Sequence, residues 1–365
     1  MTPGGRKPSG ADRGGSAIAA PPAFLTEYSA LAEPRLRAFL DVRVAQATQL
    51  PVELGATFSA LRDYVLRGGK RLRGALVLLG CEAAGGDRAW AMDPSIGVEL
   101  LHAYLLVHDD FMDRDEVRRG GPTLHVQLGA AARSEHLGAS LAVLLGSLCE
   151  AWALELVLAA PVQADRVVAA AQLVSRELHQ VTVGQMQDLS APLGRELRAE
   201  DVLAVERMKT GGYTFELPLR LGALLAGADE ALLAALERFA RPLGQAFQIA
   251  DDLLGTFGAP EVTGKPNASD LREGKRTLLV ARALEAAGAR DAARLRAGLG
   301  RKDLSDAEFS ELREILVRSG AAQASRDEAE RLCGEAIGAL NPSAIPPRTA
   351  ETLRQIAIYS VRRAL

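Results

Sequence analysis

Residues 98–123 read VELLHAYLLVHDDFMDRDEVRRGGPT: an apolar stretch from Val98 to Val107 that ends on His108-Asp109-Asp110-Phe111-Met112-Asp113 and then on a run of charge. On a helix, Asp109 and Asp113 stand one turn apart on one face, so their carboxylates can converge on a hard cation. Mg²⁺ suits such a pair, because it usually takes one or two carboxylates and fills its other positions with water and phosphate oxygen. A helix end with solvated acids is the alternative reading of this motif alone. A second acidic pair shifts the balance: Gln248-Ile249-Ala250-Asp251-Asp252-Leu253-Leu254 again closes an apolar helical stretch. Carboxylates gathered at the top of a core repel one another and lose hydration unless a cation is placed among them. The two pairs therefore read as two walls of one metal-lined mouth.

Outward from these motifs, apolar residues recur at three and four spacing, as in Leu61, Val65 and Leu66, or Leu232, Leu233, Leu236, Phe239 and Leu243. Breaks carrying Gly, Pro or Asp fall near Gly85-Gly86, Gly120-Gly121-Pro122, Pro192, Gly227, Gly258 to Pro266, Gly288, Gly300 and Pro342 to Pro347. These intervals predict about ten to twelve helices. No Val/Ile/Thr run alternates at period two for long enough to demand a strand. The expected fold is all-α: a single domain over residues 23–365 whose long helices surround a deep shared cavity.

Composition agrees. The chain has 365 residues, 48% hydrophobic and 24% charged, which excludes disorder along its whole length. Aromatics are only 4%, so Leu, Ala and Val must build the core. A net charge of −3 gives no global pull toward nucleic acid or an anionic membrane, and neither partner is expected. Cys81, Cys149 and Cys333 are widely separated and odd in number, which suggests neither a disulfide framework nor a zinc site and leaves a cytoplasmic location as the expectation. Residues 1–22, rich in Gly, Pro, Ser and Ala, read as a disordered tail. Leu137 to Val162 has the length and apolarity of a membrane span, but Glu150 and Glu155 lie inside it. Each would cost about 2.5–3.5 kcal/mol near mid-bilayer, so a buried helix is expected there and no span.

Basic residues recur wherever acids do. Gly68-Gly69-Lys70-Arg71-Leu72-Arg73 sets three cations in a four-residue window beside two glycines. Arg offers planar bidentate donors and Lys a point charge, which suits a diphosphate, with a solvated helix start as the equal alternative. Arg118 and Arg119 follow the first acidic motif, Lys209-Thr210 follows the helix Asp201 to Met208, and Lys265 and Lys275 follow the second acidic motif. Such a layout is what two diphosphates bridged by Mg²⁺ require.

Five segments in this order, GGKRLR from Gly68, HDDFMDRDEVRRGGPTLH from His108, GQMQDL from Gly184, KTGGYTF from Lys209 and QIADDLLGTFGAPEVTGKPNASDLREGKRTLL from Gln248, resemble the trans-isoprenyl diphosphate synthases of the polyprenyl synthetase family. The similarity runs from about Leu31 to the C-terminus. It implies an antiparallel bundle of long helices, assembled as a homodimer. It also implies that Asp109, Asp110 and Asp113, with Asp251 and Asp252 opposite, hold two or three Mg²⁺ ions, replaceable by Mn²⁺, against an allylic diphosphate. Arg118, Lys209 and Lys265 would reach the same diphosphate, and Lys275 joins the substrate-binding cations. Lys70, Arg73, His102 and Arg119 match positions that receive the diphosphate of isopentenyl diphosphate. Gln185, Asp188 and Gln248 would line the space between, and Thr210 would offer oxygen near a developing carbocation. The implied chemistry is ionisation of the allylic C–O bond, attack by the isopentenyl double bond, and proton loss to the released diphosphate, so no side-chain nucleophile is needed. His108 stands equally well as a helix histidine beside the acids or as a participant.

Tyr104 lies five positions before Asp109, with Leu105 beside it. In similar enzymes a single aromatic there, with no insertion in the acidic motif, implies a short product of the geranylgeranyl or farnesyl class; ordinary core packing is the alternative. Three departures stand out. Gly255 replaces a third Asp of the second motif, Ser147 replaces the Asp of a frequent Gly-Asp, and glycines follow Lys209-Thr210 before Phe215. Two other readings compete: a class I terpene cyclase, which needs no second substrate pocket and is opposed by the Gly68–Arg73 cluster and Arg119, and a non-catalytic partner subunit, opposed by retention of both acidic pairs.

Overall fold

The computed structural model describes residues 20–190, 198–258, 269–341 and 344–362, without the side chains of Thr210, Ser269 and Asp270. Residues 1–19 of the expected tail, the break near Pro192 and Lys265 lie outside the described residues. The first half of the chain forms α1 (Ala23–Ala47), α2 (Gly55–Leu66), α3 (Leu72–Ala83), α4 (Arg88–Asp113), α5 (Leu124–Ala132), α6 (Glu135–Leu158) and α7 (Ala164–Ser190). It continues as α8 (Ala199–Glu206), a π-helix (Arg207–Glu216), α9 (Leu217–Leu225) and α10 (Glu230–Phe257). Short and medium helices complete it: α11 (Ser269–Glu273), α12 (Leu278–Ala286), α13 (Ala289–Gly298), α14 (Asp306–Arg318), α15 (Ala321–Gly338) and α16 (Pro347–Arg362). The all-α class holds, with more segments than ten to twelve. Some apolar stretches are cut where a residue turns left-handed, as at Arg71 (φ 46°) between α2 and α3 and at Arg133 (φ 52°) between α5 and α6.

Helix starts follow capping chemistry. Asp87, Ser134 and Asp229 accept from the backbone N–H of Ala89, Leu137 and Leu232 and so begin α4, α6 and α10. The core lies where α3, α4, α9 and α10 meet, with Leu76, Leu79, Leu100, Leu221, Phe239 and Leu243 fully buried. Helices α3 and α9 touch backbone to backbone. A Cβ at Gly80 would fall 1.9 Å from the Leu219 carbonyl oxygen, and one at Gly222 1.8 Å from that of Val77, so only glycine fits either position. This close contact fixes the start of α3, which carries Arg73, against the π-helix that precedes α9.

Two expectations need correction. A short antiparallel ribbon pairs Val117 with Pro122 and Arg118 with Gly121, although no alternating run announced it. Its two-residue turn, Arg119-Gly120, has positive φ at both positions (51° and 71°), the geometry of a tight hairpin. Helix α6 is long and apolar enough to cross a membrane by length and composition, yet only 39% of its most apolar stretch is buried. Ala142, Leu145, Cys149 and Ala153 pack inward while Leu137, Leu144, Leu154 and Leu158 are exposed, so it is a half-buried helix rather than a core one.

Candidate active site

The first acidic motif sits on the last turn of α4, which stops at Arg114 in the left-handed conformation (φ 59°). Asp109 Oδ1 accepts from Gln185 Nε2 of α7 at 3.3 Å and lies 3.6 Å from Lys209 Nζ of the π-helix, while its Oδ2 is 3.6 Å from Arg118. Asp113, one turn on, meets Lys275 Nζ at 2.8 Å. Burial raises the pKa of Asp113, and the charge of Asp109 adds to that rise against the opposing pull of Lys275. The two carboxylates therefore face each other closely enough to repel.

Asp110 behaves differently from its neighbours. It is fully buried, takes the Tyr64 hydroxyl at 2.7 Å and pairs with Arg118 Nε. Burial drives its pKa up, partly offset by Arg118. Asp110, expected among the metal ligands, meets Tyr64 and Arg118, on the Tyr64 side of α4 rather than on the face shared by Asp109 and Asp113. For Arg118, burial disfavours the charge, but Asp110 and Asp109 outweigh it and its pKa is raised.

The second motif closes the far side. Lys209 Nζ bonds Asp188 Oδ2 at 2.5 Å; burial works against the ammonium, yet Asp109 and Asp188 raise its pKa. One turn before Lys209, Glu206 receives the Leu278 N–H at 3.2 Å and hydrogen-bonds Asp252, which also accepts from Gln248 Nε2 at 2.8 Å. Burial lifts the Glu206 carboxyl to about 7. Asp251, half-buried, is the residue immediately before Asp252 on α10. Lys209 thus meets Asp109 of the first motif and Asp188, while Glu206, one turn before it, bonds Asp252 of the second motif. The glycine-bearing stretch Lys209-Thr210-Gly211-Gly212 lies inside the π-helix Arg207–Glu216. Its purpose is visible at Gly211, against which a Cβ on Gly244 would stand 2.6 Å from the carbonyl oxygen, so the π-helix presses directly onto α10.

The basic side is built from α3, the ribbon and α4. Of the three cations in the Gly68–Arg73 window, buried Arg71 turns inward to Val65 O (2.9 Å) and Glu99 (3.5 Å) and is structural. Lys70 is exposed, with its ammonium 5.0 Å from the Tyr359 ring of α16. Arg73 Nη2 donates to Thr214 Oγ1 at 2.8 Å, and its Nη1 lies 3.4 Å from His102 Nε2. Arg119 bonds the Gly68 carbonyl and lies across Gly69, where a Cβ would come within 3.1 Å of it. Arg67, unremarked in the sequence, ties the ribbon down through Pro122 O at 2.6 Å.

Residues 56–316 match the family model described as polyprenyl synthetase. The chain belongs to the polyprenyl synthetase family. It is 36% identical over 298 residues to a (2E,6E)-farnesyl diphosphate synthase of Mycobacterium tuberculosis, covering 81% of this chain and 80% of that one. It is 32% identical to a geranylgeranyl diphosphate synthase of Sulfolobus acidocaldarius, covering 81% and 87%. Among solved structures, a geranylgeranyl pyrophosphate synthase from Corynebacterium glutamicum, complexed with isoprenyl diphosphate and magnesium, superposes with a TM-score of 0.88 at 32% identity over 93% of this chain and 99% of that one. This polyprenyl synthetase is accordingly a trans-prenyltransferase of the short-chain kind.

Polyprenyl synthetases are metal-dependent, and the residues present fit a divalent cation. The donors are hard carboxylate oxygens, and the mutual repulsion of Asp109 and Asp113 is what a cation would relieve. Lys275 and Lys209 meet these acids in the structure. Glu206 and Glu273 were missed by sequence reasoning. Glu273 meets Lys275 at 2.7 Å, and burial lifts its carboxyl to about 7. Neither belongs to an acidic pair, and only the fold shows that they are buried. Ser147 bonds Val143 O of its own helix at 3.2 Å and faces outward. Tyr104 stacks edge-on against His108 at 4.7 Å between ring centres, on the α6 side of α4, whereas Leu105 shares the face of Asp109. His108 lies 3.0 Å from Val143 O, and a Cβ at Gly146 would overlap its ring, so its place is in the α4–α6 contact.

Proposed function

We propose that this polyprenyl synthetase condenses isopentenyl diphosphate with an allylic diphosphate, dimethylallyl, geranyl or farnesyl, and releases geranylgeranyl diphosphate, with farnesyl diphosphate as the alternative product. The observation that carries the reading is Lys209, whose ammonium meets both Asp109 and Asp188 one turn from the Glu206–Asp252 contact, which supports assigning the two acidic motifs to one site. Asp109, Asp113, Asp251 and Asp252 would hold Mg²⁺, which supplies Lewis-acid stabilisation of a departing diphosphate. Arg118, Lys209 and Lys265 neutralise the rest of the charge that develops as the allylic C–O bond ionises. Lys70, Arg73, His102 and Arg119 grip the second diphosphate and hold the isopentenyl double bond toward the cation. Gln185 and Gln248 would orient the acids, Thr210 would offer oxygen to the developing carbocation, and Lys275 would join the substrate-binding cations. The departing diphosphate takes the final proton.

Tyr104 and Leu105 set the depth available to the product, which favours the geranylgeranyl length. The exposed Leu137, Leu144, Leu154 and Leu158 of α6 suit a second copy of the chain, and we assign the protein as a cytoplasmic homodimer on that face. Purified protein incubated with Mg²⁺, isopentenyl diphosphate and each allylic primer tests the function. Chain extension ending at the twenty-carbon diphosphate is expected. Release of diphosphate from a single allylic substrate with a hydrocarbon product would favour a cyclase, and inertness would favour a partner subunit.

A further inference from the structure

His102 is held by two different partners. Its Nε2 faces Arg73 Nη1 at 3.4 Å, and its Nδ1 lies 2.9 Å from the Tyr213 hydroxyl. Burial lowers the pKa of the ring far below its ordinary value, and Arg73, Arg119, Arg118 and Arg71 push it the same way, so the ring is neutral. A neutral imidazole has one N–H. Guanidinium only donates, so Nε2 must accept and Nδ1 must carry the proton, which it donates to the Tyr213 oxygen. Burial keeps the Tyr213 hydroxyl protonated, with Thr214 Oγ1 within its reach.

This arrangement is wrong for an anion. A diphosphate entering between Arg73 and Arg119 takes over the Arg73 donors and meets a lone pair on Nε2. Relief requires a proton on Nε2. Adding one to make imidazolium is opposed by burial and by the guanidinium groups of Arg71 and Arg73 from α3 and its cap and of Arg118 and Arg119 from the ribbon, and the α4 carboxylates of Glu99 and Asp109, whose charge reaches the neighbouring Tyr213, do not reverse that lowering. Moving the proton is the open route, and it requires a partner at Nδ1 that both accepts and donates.

We propose that the Tyr213 hydroxyl is that partner, a positioning residue that lets uncharged His102 present Nε2 as an acceptor to Arg73 in the free enzyme and as an N–H donor to the diphosphate of the homoallylic substrate. The ring takes one proton at Nε2 from water and returns one from Nδ1, so its charge does not change; Tyr213 keeps its own proton and turns it from Thr214 to Nδ1. The inference rests on the assignment of His102 to the isopentenyl diphosphate pocket.

The test uses the full-length enzyme. Phenylalanine at position 213 keeps the ring that lies 4.5 Å from the Arg73 guanidinium and removes only the hydroxyl. Tyr213→Phe is expected to raise KM for isopentenyl diphosphate about tenfold, with kcat and the allylic KM within twofold of the wild type. In ¹⁵N-histidine spectra, with His102 assigned through His102→Gln, the free enzyme should carry Nδ1–H and the complex with isopentenyl diphosphate alone should carry Nε2–H. Because a glutamine amide donates without tautomerism, Tyr213→Phe added to His102→Gln should shift KM less than twofold. An unchanged KM in Tyr213→Phe, an imidazolium or Nδ1–H ring in the complex, or additive losses in the double variant would overturn the proposal while leaving the function intact. Wild-type protein that fails to bind isopentenyl diphosphate would overturn the functional reading and this inference together.

Discussion

The Lys209 ammonium stands 3.6 Å from Asp109 Oδ1, joining a residue of the π-helix to the end of α4 across the top of the bundle. Asp188 holds the same ammonium at 2.5 Å, so Lys209 is fixed before any substrate arrives. Lys209→Gln keeps a donor and removes the charge. Turnover is expected to fall on the order of 10²-fold, with a raised KM for the allylic substrate and an unchanged KM for isopentenyl diphosphate. Steady-state kinetics with each substrate varied in turn check this.

Arg119 occupies the left-handed region (φ 51°), where a side chain costs roughly 1 kcal/mol relative to glycine. The guanidinium bonds the Gly68 carbonyl, which offsets that cost, and the proposed role of Arg119 is to receive the diphosphate of isopentenyl diphosphate. Arg119→Gly should therefore leave the thermal midpoint within a few degrees of the wild type while raising KM for isopentenyl diphosphate at least tenfold. Calorimetric melting beside kinetics separates the two effects.

Tyr104 packs against His108 on the side of α4 that faces α6. Removing the ring opens space along that wall, and Tyr104→Ala should lengthen the main product by one or more five-carbon units. An unchanged chromatographic product profile would remove this residue from the floor of the cavity.

Glu177 of α7 points toward Gly212 of the π-helix, and burial with the nearby charge of Glu216 raises its carboxyl from 4.5 to about 6. The folded chain therefore holds this proton where the unfolded chain releases it. The stabilisation is complete below pH 4.5 and is lost as the pH climbs through about 6. Glu177→Gln should match the wild type at pH 4 and exceed its stability by about 1 kcal/mol at pH 8, after allowance for solvent screening at this half-buried site. Urea unfolding at the two pH values measures the difference.

The helical class was legible because apolar spacing reports helices directly, and Asp109 and Asp113 shared a face for the same reason. What the sequence could not convey was contact between distant segments. Glu206 and Glu273 look like ordinary surface acids until the fold sets Glu206 against Asp252 and Leu278 and Glu273 beside Lys275. Nothing in the sequence tells that Asp110 meets Tyr64 and Arg118, forty-six and eight positions away. The π-helix was hidden because Gly211-Gly212 signals a turn locally; in the structure Gly244 must be glycine against the Gly211 backbone, and a Cβ on Gly212 would stand 2.6 Å from the Glu177 carboxylate. The Arg119-Gly120 ribbon is too short to show a period. Helix α6 looked like core because composition does not distinguish a face packed in this chain from one left outside.

Calorimetric titration of a non-ionisable thiolo analogue of farnesyl diphosphate, with and without Mg²⁺, addresses both acidic motifs at once. The wild type should bind it only with Mg²⁺, and both Asp109→Asn and Asp251→Asn should weaken that binding at least a hundredfold while the helical circular dichroism stays unchanged. Mg²⁺-independent binding, or an Asp251→Asn variant that binds like the wild type, would contradict a single metal-bridged site shared by α4 and α10.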